Sequence, residues 1–128
     1  MQIAEYYYVL GDGDRIREDV EFYLLNNDLE SLAKFSQNLT IAINEIKEIA
    51  ISTMGAQIIL AGGDDILFYV PREKYRTELI QKLQQVFYNI TGATISFGVG
   101  KTIEAVYINL RLAKTNKDDK IVEEKPKN

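Results

Sequence analysis

The chain has no cysteine and no histidine. The first absence excludes disulfides and thiolate nucleophiles, and the two together exclude an ordinary zinc centre. Without histidine there is also no side chain that ordinarily serves as a general base near neutral pH. No run of about 18 or more apolar residues occurs, so no membrane span is expected. The N-terminus lacks a basic patch followed by an apolar stretch, so secretion is not indicated and a cytoplasmic location is expected. Positive charge is in deficit: 15 Lys and Arg face 19 Asp and Glu, a net −4. That argues against a stable duplex nucleic-acid partner. The remaining chemistry rests on carboxylates, Lys or Arg, hydroxyls and a hard metal ion. A small anionic substrate fits only with a cation between the acids and its phosphates.

What is present is 128 residues, 46% of them hydrophobic, enough for one domain with a real core. Ile3 to Leu10 reads as a first strand ended by Gly11, with Asp12 to Asp14 as its turn. A short helix over Ile16 to Leu25 is followed by Asn26, Asn27 and Asp28, and Asp28 can cap the next helix. That helix carries Leu32, Phe35, Leu39, Ile43, Ile46 and Ala50 at three- and four-residue spacing, and Gly55 stops it. Ala56 to Ala61, apolar on both sides, reads as a central strand. With Ile66 to Val70 it makes a hairpin whose tip is Gly62 to Asp65. Pro71 is placed in the first turn of a further helix with Tyr75, Leu79, Leu83, Val86, Phe87 and Ile90 inward and Gly92 at its end. A strand over Ala93 to Gly100 and a helix from Thr102 to Lys114, with Ile103, Val106, Tyr107 and Leu110 inward, complete residues 1–115. Residues 116–128 read as a charged, loose tail, with Lys120 to Glu123 a candidate edge strand.

The order β-α-β-β-α-β, with an enlarged first helical connection and an added C-terminal helix, is an α+β, ferredoxin-like plan. In it the first and third strands are central, antiparallel neighbours. The end of the first then faces the start of the third, so Asp12 and Asp65 are expected side by side. Paired carboxylates at one sheet edge repel unless something neutralises them. Mg²⁺ or Mn²⁺ would do so through oxygen ligands. Gly11 and Gly13 leave room around the first turn. Gly62 and Gly63 remove side chains where a triphosphate would approach, and they permit positive φ. Asp14 reads equally as a ligand or as a helix cap.

These residues carry a family resemblance. "LAGGDDILF" (Leu60 to Phe68) resembles the GGDD/GGDEF signature of palm-type nucleotidyl cyclases and polymerases. "LGDGDRI" (Leu10 to Ile16) resembles their D-x-D element. "ISFGVGKTIEAVYINLRLAKTNKDD" resembles their S-x-G strand followed by a helix ending in Ala-Lys. Over about residues 3–117 the chain is most similar to the minimal CRISPR polymerase/cyclase proteins, stand-alone relatives of the palm domain in the type III CRISPR large subunit. Diguanylate cyclases are more distant relatives. The resemblance implies Asp12, Asp64 and Asp65 as acidic site residues holding two metal ions, with the Gly13 carbonyl as an additional ligand. It implies Gly62 and Gly63 as the turn against the nucleotide, and Lys114 on the β- and γ-phosphates. Lys101 is a candidate phosphate contact without a family counterpart. Asp64-Asp65-Ile66 departs from the diguanylate cyclase pattern, Arg15-Ile16-Arg17 replaces its F-K, and no guanine-reading pair can be placed; ATP is therefore the favoured substrate.

The expected activity is two-metal attack of a ribose hydroxyl on an α-phosphate, giving a cyclic dinucleotide. Joining two nucleotides calls for a homodimer with sites at the interface, with the first-strand aromatics and the long helix as candidate contacts. The resemblance further implies antiviral defence and a downstream cyclic-nucleotide effector. Two rival readings stand beside it. One is an RNA-recognition-like module displaying Tyr6, Tyr8 and Phe68. The other is a silent, nucleotide-sensing palm scaffold.

Overall fold

Burial alternates strictly along Tyr6–Gly13 (β1) and Asp65–Pro71 (β3), the period-2 signature of strands with one face in a core. A computed structural model describes residues 5–116 and 120–124, so Ile3 and Ala4 of the expected first strand lie outside the described residues. The remaining elements are α1 (Ile16–Leu25), α2 (Leu29–Met54), β2 (Gln57–Gly62), a 3₁₀ turn (Arg72–Lys74), α3 (Thr77–Thr91), β4 (Ile95–Gly100), α4 (Ile103–Thr115) and β5 (Ile121–Glu123). The sheet order is β2-β3-β1-β4-β5. β1 is antiparallel to both β3 and β4. This is the ferredoxin-like plan, with β1 and β3 as central neighbours.

One sheet face presents Val9, Ile66, Phe68, Val70, Ile95, Phe97 and Val99 to Ile43 and Ile46 of α2 and Ile80, Leu83 and Phe87 of α3. Fully burying one such side chain is worth about 1.5–3 kcal/mol, so this layer fixes the strand register. α2 starts at Asp28, whose carboxylate accepts from Ser31 N–H at 3.1 Å, and stops at Gly55 in the left-handed conformation. α4 lies on the other face. A Cβ on Gly98 would stand 2.3 Å from Leu110 N and Val106 O, so the helix backbone rests directly on the strand.

Several local expectations change in three dimensions. Gly11 does not end β1, which runs on to Gly13; it faces the Phe97 ring, 2.4 Å from where a Cβ would sit. Packing, not a turn, requires that glycine. β2 is an edge strand and not a central one: it pairs with β3 alone, and Ile59 and Leu60 remain half-exposed. Apolar residues on both faces signal burial only where neighbours exist on both sides. Pro71 ends β3 with ψ 137°, an extended value, and α3 begins at Thr77. On α4, Val106, Leu110 and Ala113 are buried, while Ile103 and Tyr107 are exposed, because so close an approach covers only a narrow stripe. Ile121 is buried, and β5 pairs parallel with β4, so that part of the expected tail belongs to the sheet. Residues 117–119 and 125–128 of it lie outside the described residues. Among the described residues no helix is long and apolar enough to cross a membrane.

Candidate active site

The register of the central strands places Asp12 directly opposite Asp65. The hairpin before β3 turns through Gly63 and Asp64, with Gly62 paired to Asp65. Gly63 has φ +59°, a conformation glycine adopts without steric cost. This turn is tied back to β1, since Gly13 N–H donates to the Asp64 carbonyl at 3.0 Å. The result is one carboxylate oxygen each from Asp12, Asp64 and Asp65, all within 4.8 Å of one another. A Cβ on Gly62 or Gly63 would meet nothing within 4 Å, so that flank of the cluster is open space.

Asp64 and Asp65 hold their protons more tightly than an ordinary carboxyl. Asp65 is pushed up to about 7, first by the hydrogen bond it shares with Asp12, then by burial and by the charges of Asp12 and Asp64. Asp64 is raised by burial and then by the Asp12 charge. Lys114 opposes both shifts. Three hard oxygen donors that repel one another to this degree suit a divalent ion such as Mg²⁺ or Mn²⁺.

Lys114 enters from the last turn of α4. Its Nζ donates to the Asp12 carbonyl at 2.9 Å, the Gly13 carbonyl at 2.8 Å and Asp14 Oδ1 at 2.8 Å, and lies 3.1 Å from Asp12 Oδ2. The Gly13 carbonyl, expected as a metal ligand, is thus occupied by an ammonium in this arrangement.

Asp14 is neither a cap nor a member of the carboxylate cluster. The residue before α1 is Arg15, at φ 57° with no side-chain cap bond. Asp14 is turned inward and accepts from Thr94 Oγ1 and Ser96 Oγ, each at 2.7 Å, as well as from Lys114. Burial pushes its carboxyl up, but the hydrogen bonds from Lys114, Thr94 and Ser96 outweigh it and hold the group below the usual range. Lys120 Nζ stands 4.0 Å away. Thr94 and Ser96 escaped the sequence reading. The available signal was two hydroxyls at i and i+2, which share one face of a strand.

Lys101 is not part of this cluster. It follows Gly100, which pairs with Tyr8, four residues along β1 from Asp12; at about 3.3 Å per residue that is roughly 13 Å away. Phe68, one of three aromatics an RNA-recognition face would need, is fully buried on the opposite side of the sheet from Tyr6 and Tyr8.

Against known structures the fold finds relatives. A chain of the crystal structure of the Csm1–Csm4 cassette in complex with cA4 superimposes with TM-score 0.77 at 19% identity, over 94% of this chain and 21% of that one. A chain of the same cassette in complex with AMPPNP gives 0.72 at 20% identity, over 86% and 19%. The adenylyl cyclase CyaB from P. aeruginosa gives 0.54 at 15% identity, over 77% and 56%. The present chain thus spans about a fifth of the Csm1–Csm4 cassette chains it resembles. No curated protein matches it. The sequence profile of the minimal CRISPR polymerase domain (mCpol) matches residues 8–123, from Tyr8 of β1 through both acidic turns to the end of β5. That span takes in the whole Asp12–Asp65 site, and the chain belongs to the minimal CRISPR polymerase family.

Proposed function

We propose that this protein is a metal-dependent nucleotidyltransferase that joins nucleoside triphosphates, ATP in preference, into a cyclic dinucleotide. The observation that carries the reading is the convergence of Asp12, Asp64 and Asp65 within 4.8 Å beside an open glycine flank. Asp12 and Asp65 would hold two Mg²⁺ or Mn²⁺ ions, with Asp64 beside them. Such ions supply Lewis-acid charge that favours ionisation of a ribose hydroxyl and offsets the charge of departing pyrophosphate. Gly62 and Gly63 keep side chains away from the triphosphate. Lys114 is the cation placed to balance charge on the leaving group once it exchanges its backbone carbonyl partners for phosphate oxygens. The lack of histidine is no handicap, because no side-chain base is required.

Supporting the nucleotide class are the relatives, whose structures were solved with cA4, pppApA and AMPPNP. A homodimer with sites facing across its interface is the geometry we assign for ring closure, since closing the ring takes a second bond and a facing copy brings a second set of acidic groups to it. Of the β1 tyrosines expected at that contact, Tyr6 and Tyr8 each pack on Tyr69. The apolar surface we assign to the contact is the α1–α2 corner, where Phe22, Leu24, Leu25 and Leu29 are all exposed. The product would act as a defence signal read by a separate effector. Incubation with each of the four nucleoside triphosphates and Mg²⁺ or Mn²⁺, followed by mass analysis, tests the proposal. Pyrophosphate release with a cyclic adenosine dinucleotide is expected. Nucleotide binding without turnover would make the protein a silent sensor instead.

A further inference from the structure

The sheet face that carries Asp12 is only half covered. Residues paired across β1 and β4 share a side, so Ser96, Gly98 and Gly100 lie on the same face as Asp12, Leu10 and Tyr8. α4 rests on the β4 half of that face through Gly98. Among the described residues no helix lies over the β1–β3 half. There Leu10 and Leu67 form the next row after Asp12 and Asp65, followed by Tyr8 opposite Tyr69 and then Tyr6 opposite Pro71. Every residue in these rows is partly or fully exposed. Tyr69 touches both other rings, at centroid distances of 5.1 Å to Tyr6 and 5.8 Å to Tyr8. A trough therefore runs from the acidic cluster over an aliphatic row to three tyrosines.

The far end of the trough is cationic. A concavity of about 270 Å³ is lined by Glu5, Tyr6, Tyr8, Arg72 and Lys101. Arg72 is balanced by Glu5, Nη1 to Oε2 at 2.6 Å. Lys101 has no hydrogen-bond or ion-pair partner among the described residues, so the end carries one uncompensated positive charge. Aromatic rings with an adjacent cation suit a base and a phosphate. An apolar partner surface would instead leave the ammonium desolvated and unpaired.

We propose that this trough holds the attacking nucleotide, with its base against Tyr8 and Tyr69 and its 5′-phosphate at Lys101. The inference rests on the nucleotidyltransferase reading and fixes the opposite end of that reaction. A hydroxyl poised at the Asp12–Asp65 end leaves the same nucleotide's 5′ side pointing away. Lys101, one residue beyond the Tyr8–Gly100 pair that lies roughly 13 Å along β1 from Asp12, is where that side finds a counter-charge. Lys101 is thus a binding residue for the acceptor, and its distance from the acidic cluster becomes its use.

The test compares two probes in EDTA: adenosine 5′-monophosphate, and adenosine, which ends in a 5′-hydroxyl. Intrinsic fluorescence reports directly on tyrosine, since the chain has eight tyrosines and no tryptophan. Wild type is expected to bind the phosphorylated probe about tenfold more tightly, the scale of one charge-assisted contact. Lys101→Ala should abolish that preference, Lys101→Arg should retain it, and Asp65→Asn should leave it intact. Equal binding of both probes by wild type, or a preference that survives Lys101→Ala, overturns the proposal. So does a Tyr69→Leu variant that shifts from dimer to monomer in sedimentation while binding adenosine 5′-monophosphate normally, which makes the face an interface between copies. Failure of the nucleotidyltransferase reading is seen separately, as no pyrophosphate released from ATP by wild type with Mn²⁺.

Discussion

Asp12 on β1 and Asp65 on β3 are fifty-three positions apart in sequence and directly opposite in register. Their carboxylates share a hydrogen bond, the largest single reason that Asp65 holds its proton up to about pH 7. Two acids in such contact cannot both ionise without a cation between them. Asp65→Asn and Asp12→Asn are each expected to lower nucleotidyl transfer by a factor of about 100 or more, the scale of losing one group that stabilises charge in the transition state. Pyrophosphate release measures this, and activity within threefold of wild type would remove the acidic pair from the mechanism.

Metal binding should depend on pH in the same region. An ion must displace the proton on Asp65, so Mn²⁺ affinity is expected to rise from pH 6 to pH 8, approaching tenfold per unit on the acid side. The metal-free protein behaves in the opposite sense. Folded Asp65 titrates near 7 against an unfolded value of 3.8. Between those values the folded state holds more protons, so this group adds stability as pH falls. Asp65→Asn should flatten that slope in urea melts. Calorimetric Mn²⁺ titrations at pH 6, 7 and 8 that give one affinity would contradict the assignment.

Asp14 is expected to act on stability and on Lys114 rather than on metal. Asp14→Ala leaves the Lys114 ammonium and two hydroxyls short of an acceptor, at a cost of about 2–4 kcal/mol. Its lowered pKa sets the pH sense: the contribution is present above the unfolded value of 3.8 and is lost as pH falls through the lower folded one. Chemical denaturation at pH 7 and pH 3 reads both parts. Manganese affinity that drops as far as in Asp65→Asn, with stability unchanged, would make Asp14 a ligand after all.

Two glycines separate packing from access. Gly98→Ala drives a Cβ into the α4 backbone at 2.3 Å. It should destabilise by about 3 kcal/mol or more and displace Lys114 with its helix. Gly62→Ala meets nothing within 4 Å and should leave stability within about 0.5 kcal/mol. Thermal melts decide the first pair of values. A larger Gly62→Val change should raise the KM for ATP at unchanged melting temperature, and an unchanged KM would separate that turn from the triphosphate.

Leu25 is the most exposed of the corner side chains, at 86%. Leu25→Lys is expected to shift sedimentation from dimer towards monomer without altering the melting temperature of the monomer by more than about 0.5 kcal/mol equivalent. A wild type that sediments as a monomer at every concentration would leave the α1–α2 corner without its assigned role.

Much of the fold is legible along the chain because its signals are local. Asp28 caps α2 where its side chain can reach the Ser31 amide, and Gly55 and Gly92 end helices in the left-handed conformation that glycine alone adopts freely. The hairpin around Gly63 and the alternation of β1 and β3 are equally local, and with element order they place Asp12 beside Asp65 before any coordinate is known. The rest depends on what lies across from a residue. Ala56 to Ala61 is as apolar as a central strand but has a neighbour on one side only. Gly11 looks like a strand end until the Phe97 ring stands opposite it. Asp14 shows two local meanings and takes neither, because Thr94, Ser96 and Lys114 reach it from eighty or more residues away. Lys101 reads as a site lysine, yet the sheet carries it to the far end. Hydrogen bonding within a few residues and the period of burial are written in sequence. Which side chain faces which across a sheet is decided only when the strands assemble.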